Sequence, residues 1–244
     1  MKLAVIADVH SNASALAAVL DDFAGRSPDR IVHLGDACNG PIDPVGTVTL
    51  LRDLVGAAHV RGNGDRMVGV PTEHEVTASA RFARERLSAA DAAWLGEWPQ
   101  VVNGEGWLAC HGSPWDDCEY LLERVTEEGV VLRAPPDILR RIGPSYARLV
   151  LCGHTHIGRI VQIPDGPLVV NPGSVGLPAY AAGEPLPHKM EAGSPHACYA
   201  LVEKRGDAWQ AELRQVKYDW KRAAKVAEKN GWPEWARAVR TGRV

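Results

Sequence analysis

This 244-residue chain carries no long hydrophobic run, no paired cysteine motif and no strong charge imbalance, and each absence closes off a class. The first apolar stretch, residues 3–7, ends at Asp8 and is too short for a signal-peptide core. No later stretch approaches the roughly 20 apolar residues of a membrane span, so no membrane partner is expected. The five cysteines, Cys38, Cys110, Cys118, Cys152 and Cys198, are odd in number, scattered, and without a C-x-x-C pair. That pattern argues against a disulfide framework and against a zinc ribbon, and a reducing cytoplasmic setting is the expectation. The formal net charge of −3 gives no general argument for nucleic acid or an acidic membrane. It hides an asymmetry, because residues 201–244 hold 11 Lys+Arg against 6 Asp+Glu, a net of +5, leaving −8 for residues 1–200. A solvated, basic helical segment at about 219–244 is the plain reading of that excess. Repeats, low-complexity tracts and interdomain linkers are missing too, and one domain over residues 1–244 is expected.

What is present is ordinary globular composition, 45% hydrophobic and 23% charged, arranged as short apolar runs that each end in a polar or glycine-rich turn. Runs at 3–7, 31–34, 57–60, 107–110, 149–152, 160–163, 168–170, 198–202 and 209–213 read as strands. Several are nearly continuous in Val, Ile, Leu and Ala, as strands covered on both faces are. Helical spacing occupies 14–23, 73–87, 89–95, 117–126, 136–142, 220–229 and about 233–239. Asp43-Pro44 reads as an N-cap with proline at the first helical position before 45–55. The early β-α-β-α-β alternation predicts parallel strands with right-handed crossovers, and the later half looks more antiparallel. Residues 176–195, rich in Gly, Pro and Ala, read as a long loop of the functional or mobile kind.

Potential metal ligands stand at five of these strand ends. They are Asp8-Val9-His10, Gly35-Asp36, Gly62-Asn63-Gly64-Asp65, His111-Gly112 and Gly153-His154-Thr155-His156. Residues two apart in extended chain share a face, so Asp8 with His10, and His154 with His156, are expected to converge. In open α/β sheets ligands bind at the carboxyl ends of strands. Oxygen and imidazole donors without thiolate favour Mn²⁺, Fe, Ni²⁺ or Zn²⁺, Mn²⁺ first. Two carboxylates, four imidazoles and an amide are too many for one ion and suit a pair roughly 3.5–4 Å apart.

The ordered set D-x-H, G-D, G-N-x-D, H-G and G-H-x-H resembles the calcineurin-like metallophosphoesterase signature over residues 1 to about 176. Asn171-Pro172-Gly173-Ser174 is similar to the N-P-G-S turn of the small prokaryotic branch, and Gly40-Pro41-Ile42-Asp43-Pro44 to a subset of it. The resemblance implies a four-layer α/β/β/α sandwich with mixed sheets and a dinuclear site on one edge. It also implies a phosphoesterase, a phosphodiesterase first, using a metal-bridging hydroxide. By position, Asp8, His10, Asp36 and His156 would hold one ion, and Asp36, Asn63, His111 and His154 the other, with Asp36 as the bridge.

One position departs. Relatives often carry His or Cys between the Asn and the acidic residue of the third motif, where His protonates the leaving oxygen; here it is Gly64. That disfavours monoesters with poor leaving groups and leaves diesters and activated esters. His74 is a candidate replacement acid. Asp65 either orients His10 or caps a turn. Arg61 and Arg66 could hold a phosphate, and Trp115 and Tyr180 could stack on a base, although salt bridges and packing are the simpler roles. His33 and His59 read as structural, His188 and His196 as surface residues near the long loop, and Cys110 and Cys152 as strand packing. A small phosphoester, a nucleotide among the candidates, is the expected partner; a homo-oligomer is compatible. The alternatives are a phosphomonoesterase or a nucleotide or dinucleoside polyphosphate hydrolase and, from other classes, a metal-binding interaction scaffold or a nucleic-acid-processing subunit. All seven ligand positions are filled, against the scaffold, and no basic groove is evident in residues 1–200, against the nuclease.

Overall fold

The computed structural model describes residues 1–70 and 76–244. The first half runs β1 (Lys2–Ile6), α1 (Ala13–Ala24), β2 (Arg30–His33), α2 (Pro44–Arg52), β3 (Ala58–His59), α3 (Asn63–Gly69), α4 (Ala78–Arg84), α5 (Ala89–Gly96), β4 (Val101–Gly104) and β5 (Trp107–Cys110). The next part is β6 (Glu123–Thr126), β7 (Gly129–Leu132), α6 (Pro135–Ile142), β8 (Leu149–Leu151), β9 (Arg159–Gln162) and β10 (Leu168–Asn171). The chain then forms β11 (Ala179–Ala182), β12 (His188–Glu191), β13 (Ala197–Arg205), β14 (Ala208–Val216), α7 (Trp220–Lys229) and α8 (Pro233–Thr241).

Two five-stranded sheets are ordered β14-β13-β1-β2-β3 and β4-β5-β8-β10-β9. Each has a parallel centre, β1-β2-β3 in one and β5-β8-β10 in the other, flanked by antiparallel strands. The period-two alternation of a strand divides their side chains between three apolar layers. From β1, Ala4 and Ile6 face a helical layer, where they meet Leu16, Val19 and Phe23 of α1 and the alanines of α7 and α8. Leu3 and Val5 face the other sheet, against Trp107, Leu149, Leu151 and Val170. On that sheet's far side, Leu108, Val150 and Val169 meet Ile138 and Ile142 of α6. The layers are therefore helix, sheet, sheet, helix, and the expected mixed α/β class holds.

Asp43 caps α2 as expected: its side chain accepts the Gly46 N–H, with Pro44 at the first helical position. Other expectations fail locally. The helix expected at 117–126 is instead a turn followed by β6, which pairs with β7 around Gly129 at φ +121°. Leu121 and Leu122 are buried in the outer layer, and Glu123 is fully buried on Arg159, so tertiary packing overrides the helical spacing. The long loop at 176–195 contains the β11–β12 hairpin, and 62–65 opens α3 rather than a free loop. Of the helix expected at 73–87, the described part is α4; its start, with His74, lies outside the described residues.

Leu151 has no exposed surface and lies between the two sheets. Leu151→Ala is expected to cost about 2–5 kcal/mol, read as a lower urea midpoint with an unchanged slope; a loss below about 1 kcal/mol would contradict a rigid inter-sheet layer.

Candidate metal centre

The loops after β1, β2, β3, β5 and β8 meet at one edge, and their backbones are unusual. Asp8, His10, Asp36, His154 and His156 all have left-handed φ, between 49° and 68°. Such a conformation is uncommon for a residue with a side chain and costs of order 1–3 kcal/mol each. The paired motifs are thus not extended, as their spacing suggested. Convergence of Asp8 with His10, and of His154 with His156, comes from tight left-handed turns immediately beyond the strands.

Hydrogen bonds hold these turns. The backbone N–H groups of Asp8, His10 and Ser11 donate to the carbonyls of Gly35, Asp36 and Ala37, tying the first loop to the second. Asp65, fully buried, accepts N–H bonds from Asp36, Ala37 and Gly62 at 2.8–3.0 Å. Of the two roles open to Asp65, these contacts are those of the cap, and His10 Nδ1 faces the Asn39 carbonyl instead. Burial, followed by the charge of Asp36, pushes Asp65 up to about 7. At the far end of β10, Asn171 Nδ2 donates to Gly153 O and Thr155 Oγ1, while Ser174 Oγ donates to Asp8 O. The N-P-G-S turn is therefore a brace between the Asp8 loop and the His154 loop.

Each of the four imidazoles donates one N–H to a backbone carbonyl. His10 Nδ1 uses Asn39 O (3.3 Å), His111 Nδ1 uses Leu34 O (2.7 Å), His156 Nδ1 uses Leu177 O (2.5 Å) and His154 Nε2 uses Cys118 O (3.0 Å). The remaining nitrogen of each then carries a lone pair. Two such nitrogens, His10 Nε2 and His156 Nε2, face one another at 2.9 Å, and His111 Nε2 faces Asn63 Oδ1 at 3.1 Å. Asp8 Oδ2 accepts the His154 N–H, whereas its buried Oδ1 has no partner and lies 3.5 Å from His156 Nε2. Opposed lone pairs at these distances suit a cation shared between them.

Donor atoms of Asp8, His10 and His156 lie within 4.8 Å of one another, as do those of Asp8, Asp36 and His111. Asp36 reaches both sets, with Oδ2 3.7 Å from His10 Nε2 and Oδ1 3.5 Å from His111 Nε2. Asp8 belongs to both sets too, which the sequence did not suggest. Burial, then neighbouring His156, lowers His10 to about 4, and burial, then His111, does the same to His154. Burial opposes ionisation of Asp8, but His156, His111 and His10 together hold it below the ordinary carboxylate range. For His111 the pull of Asp36 and Asp8 exceeds burial and raises it. The lowered His10 and His154 beside the Asp8 carboxylate, with Asp36, His111 and His156 adjoining, form a donor set that fits divalent metal ions.

The other candidates fall outside this set. Arg66 makes a two-pronged bridge to Asp117 at 2.8 and 3.0 Å, and Arg61 donates to Gly96 O. His33 and His59 pack with Trp94 and Trp98, Trp115 is solvent-exposed, and His196 pairs with Ser194. Tyr180 packs on His156 with centroids 4.6 Å apart and donates to Tyr120, which donates to His188. The sequence reading missed Asn39 and Trp235, which line a cavity of about 630 Å³ over the cluster together with His10, Asp36 and Tyr180. Asn39 stands three residues beyond Asp36 and could have been noticed; Trp235, brought in by α8, had no signal.

The sequence matches the model of the calcineurin-like phosphoesterase superfamily domain over residues 1–186. An uncharacterized protein of Methanocaldococcus jannaschii is 27% identical over 96% of this chain and 94% of its own length. The structure is similar to a metallophosphoesterase from Sphaerobacter thermophilus, with a TM-score of 0.75, 25% identity and coverage of 99% and 100% of the two chains. A hypothetical protein from Pyrococcus horikoshii shares the fold, with a TM-score of 0.74, 18% identity and coverage of 99% and 98%.

The lowered imidazoles set a pH dependence. In chelator-treated protein, His10, His59 and His154 titrate at about 4 when folded and His33 well below its usual 6.5. Unfolded, they bind protons as pH falls through 6.5, so below that point the unfolded chain takes up more protons and stability drops. The raised His111, Asp65 and Glu123 act in the opposite sense but are outnumbered by the four lowered imidazoles. The urea midpoint should therefore fall between pH 6.5 and pH 4.5; a flat or rising profile would contradict buried neutral imidazoles.

Proposed function

The chain belongs to the calcineurin-like phosphoesterase superfamily, whose members are metal-dependent phosphoesterases, and on that premise we propose that it is a dinuclear phosphodiesterase acting on a small phosphoester. The observation that carries the reading is the set of four lone-pair imidazole nitrogens and the unpartnered Asp8 Oδ1, gathered around Asp36. Asp8, His10 and His156 would hold one ion, and Asn63, His111 and His154 the other, with Asp36 directed to both through its two oxygens. Two divalent ions, Mn²⁺ first by donor chemistry, would supply positive charge at the phosphoryl oxygens and make water a nucleophile near neutral pH.

The chain's own residues bear on the choice of ester. Position 64 has no side chain, and the space beside it is filled by Asn39. No group there can give a proton to a leaving oxygen, which favours esters whose leaving group departs as a stable anion. The cavity places Leu177, Tyr180 and Trp235 as an apolar wall beside the polar floor, suited to an organic substituent on the phosphate. Because α8 forms part of that wall, the whole chain acts as one unit in this reading.

Protein stripped of metal and reloaded with Mn²⁺ should hydrolyse bis(p-nitrophenyl) phosphate faster than an alkyl phosphomonoester. Asp36→Ala should lower that turnover by at least about 10²-fold, the scale of losing a group that stabilises transition-state charge. Near-normal turnover of Asp36→Ala, or faster cleavage of alkyl monoesters, would contradict the proposal. Metal analysis adds a second check: His10→Ala and His156→Ala should release one ion and keep the other. Loss of both ions, or of neither, would contradict the partition.

A further inference from the structure

We propose that Asn39 is a phosphoryl-binding residue, presenting a carboxamide N–H to the substrate from the volume that a side chain at position 64 would occupy. This rests on the phosphoesterase reading and adds to it a residue outside the ligand motifs. Asn39 is 8% exposed, lies on the cavity wall beside His10, Asp36 and Asn63, and has a buried Oδ1 with no hydrogen-bond partner. That oxygen is an acceptor and would take a donor such as water; the group on this wall that an anionic oxygen can use is the carboxamide nitrogen with its two hydrogens.

The position of the carboxamide follows from its neighbours. A Cβ built on Gly64 would fall 2.1, 2.2 and 2.4 Å from Asn39 Cγ, Nδ2 and Oδ1. In its present rotamer the Asn39 carboxamide thus takes the space that a side chain at 64 would need, and a larger residue there would have to displace it. Asn39 Nδ2 lies 3.4 Å from Asp36 Oδ2, while the opposite amide orientation would set a carbonyl oxygen against that carboxylate. The donor end is thus turned towards Asp36, where the two groups of candidate ligands meet. An amide nitrogen has two hydrogens. One accounts for the long contact to Asp36, and the second is available to an anionic oxygen held above Asp36.

An amide donates a hydrogen bond but gives up no proton. Asn39 would therefore hold the phosphoryl oxygens without protonating the leaving group, whose oxygen would depart as an anion and take its proton from water. This is consistent with a preference for good leaving groups and gives Gly64 a structural reason. Gly64→His would have to displace the Asn39 carboxamide to place an acid there.

The test uses the full-length, Mn²⁺-loaded protein titrated calorimetrically with inorganic phosphate, with metal stoichiometry measured on the same samples. Asn39→Leu keeps much of the volume and removes the N–H; Asn39→Ala removes both. Each should bind phosphate at least about 10-fold more weakly, the scale of one hydrogen bond to a charged group, with metal stoichiometry and thermal midpoint near wild type. If either variant folds poorly, Asn39→Ser gives the same readout with a small polar side chain. Wild-type phosphate affinity in the variants would overturn the assignment. Loss of metal in step with phosphate would overturn it too, because Asn39 would then only position Asp36 and His10. Failure of the wild-type protein to bind Mn²⁺ or phosphate would instead count against the phosphoesterase reading itself.

Discussion

The site depends on a commitment made by four backbone carbonyls. Leu34, Asn39, Cys118 and Leu177 each accept one imidazole N–H, fixing the tautomer so that the other nitrogen offers a lone pair. Without those carbonyls the histidines could pair with one another or with Asp8 and Asp36 through their N–H groups. With them, lone pairs and carboxylates crowd a small volume, a repulsive arrangement that cations relieve. The four carbonyls lie in four different places along the chain, so the tautomers are correct only when the fold is complete.

Holding the arrangement has a backbone cost, visible as five candidate ligands in left-handed φ. Two braces offset it. Asp65 gathers three N–H groups from the second and third loops, and Asn171 with Ser174 joins the loops of the first and fifth motifs. Neither brace reaches into the cavity. Both are polar, buried and in contact with backbone, so their loss should disturb several candidate ligands together rather than one alone. The strands beneath supply the rigidity, since Leu3 and Val5 of the first strand pack against the second sheet on one side while Ala4 and Ile6 pack against helices on the other.

Much of this was legible in the sequence, because strand-end motifs are local. The apolar runs at 107–110 and 149–152 mark β5 and β8 almost to the residue, and Asp8, His10, Asp36, His111 and His156 gather beyond the strand ends. What could not be read was conformation and long-range placement. Two-residue spacing in Asp8-Val9-His10 implied an extended chain, whereas the actual left-handed turns depend on hydrogen bonds to residues 35–37. The segment 117–126 has helical spacing but is held as turn and strand by burial of Leu121, Leu122 and Glu123. Asp65 has an acidic side chain near His10 in sequence logic, yet three backbone donors capture it first. Trp235 reaches the cavity only because buried alanines of α7 and α8 lay that helical pair against the first sheet. In the sequence the same segment shows mainly its basic, solvated face.

In the proposed site these donors hold a pair of ions astride Asp36. Anomalous diffraction from crystals grown with Mn²⁺, collected on both sides of the manganese absorption edge, tests it most directly. The account predicts two anomalous peaks roughly 3.5–4 Å apart, one near His10 and His156 and the other near His111 and Asn63, with an Asp36 oxygen reaching both. A single peak, or peaks away from these residues in metal-saturated crystals, would contradict it.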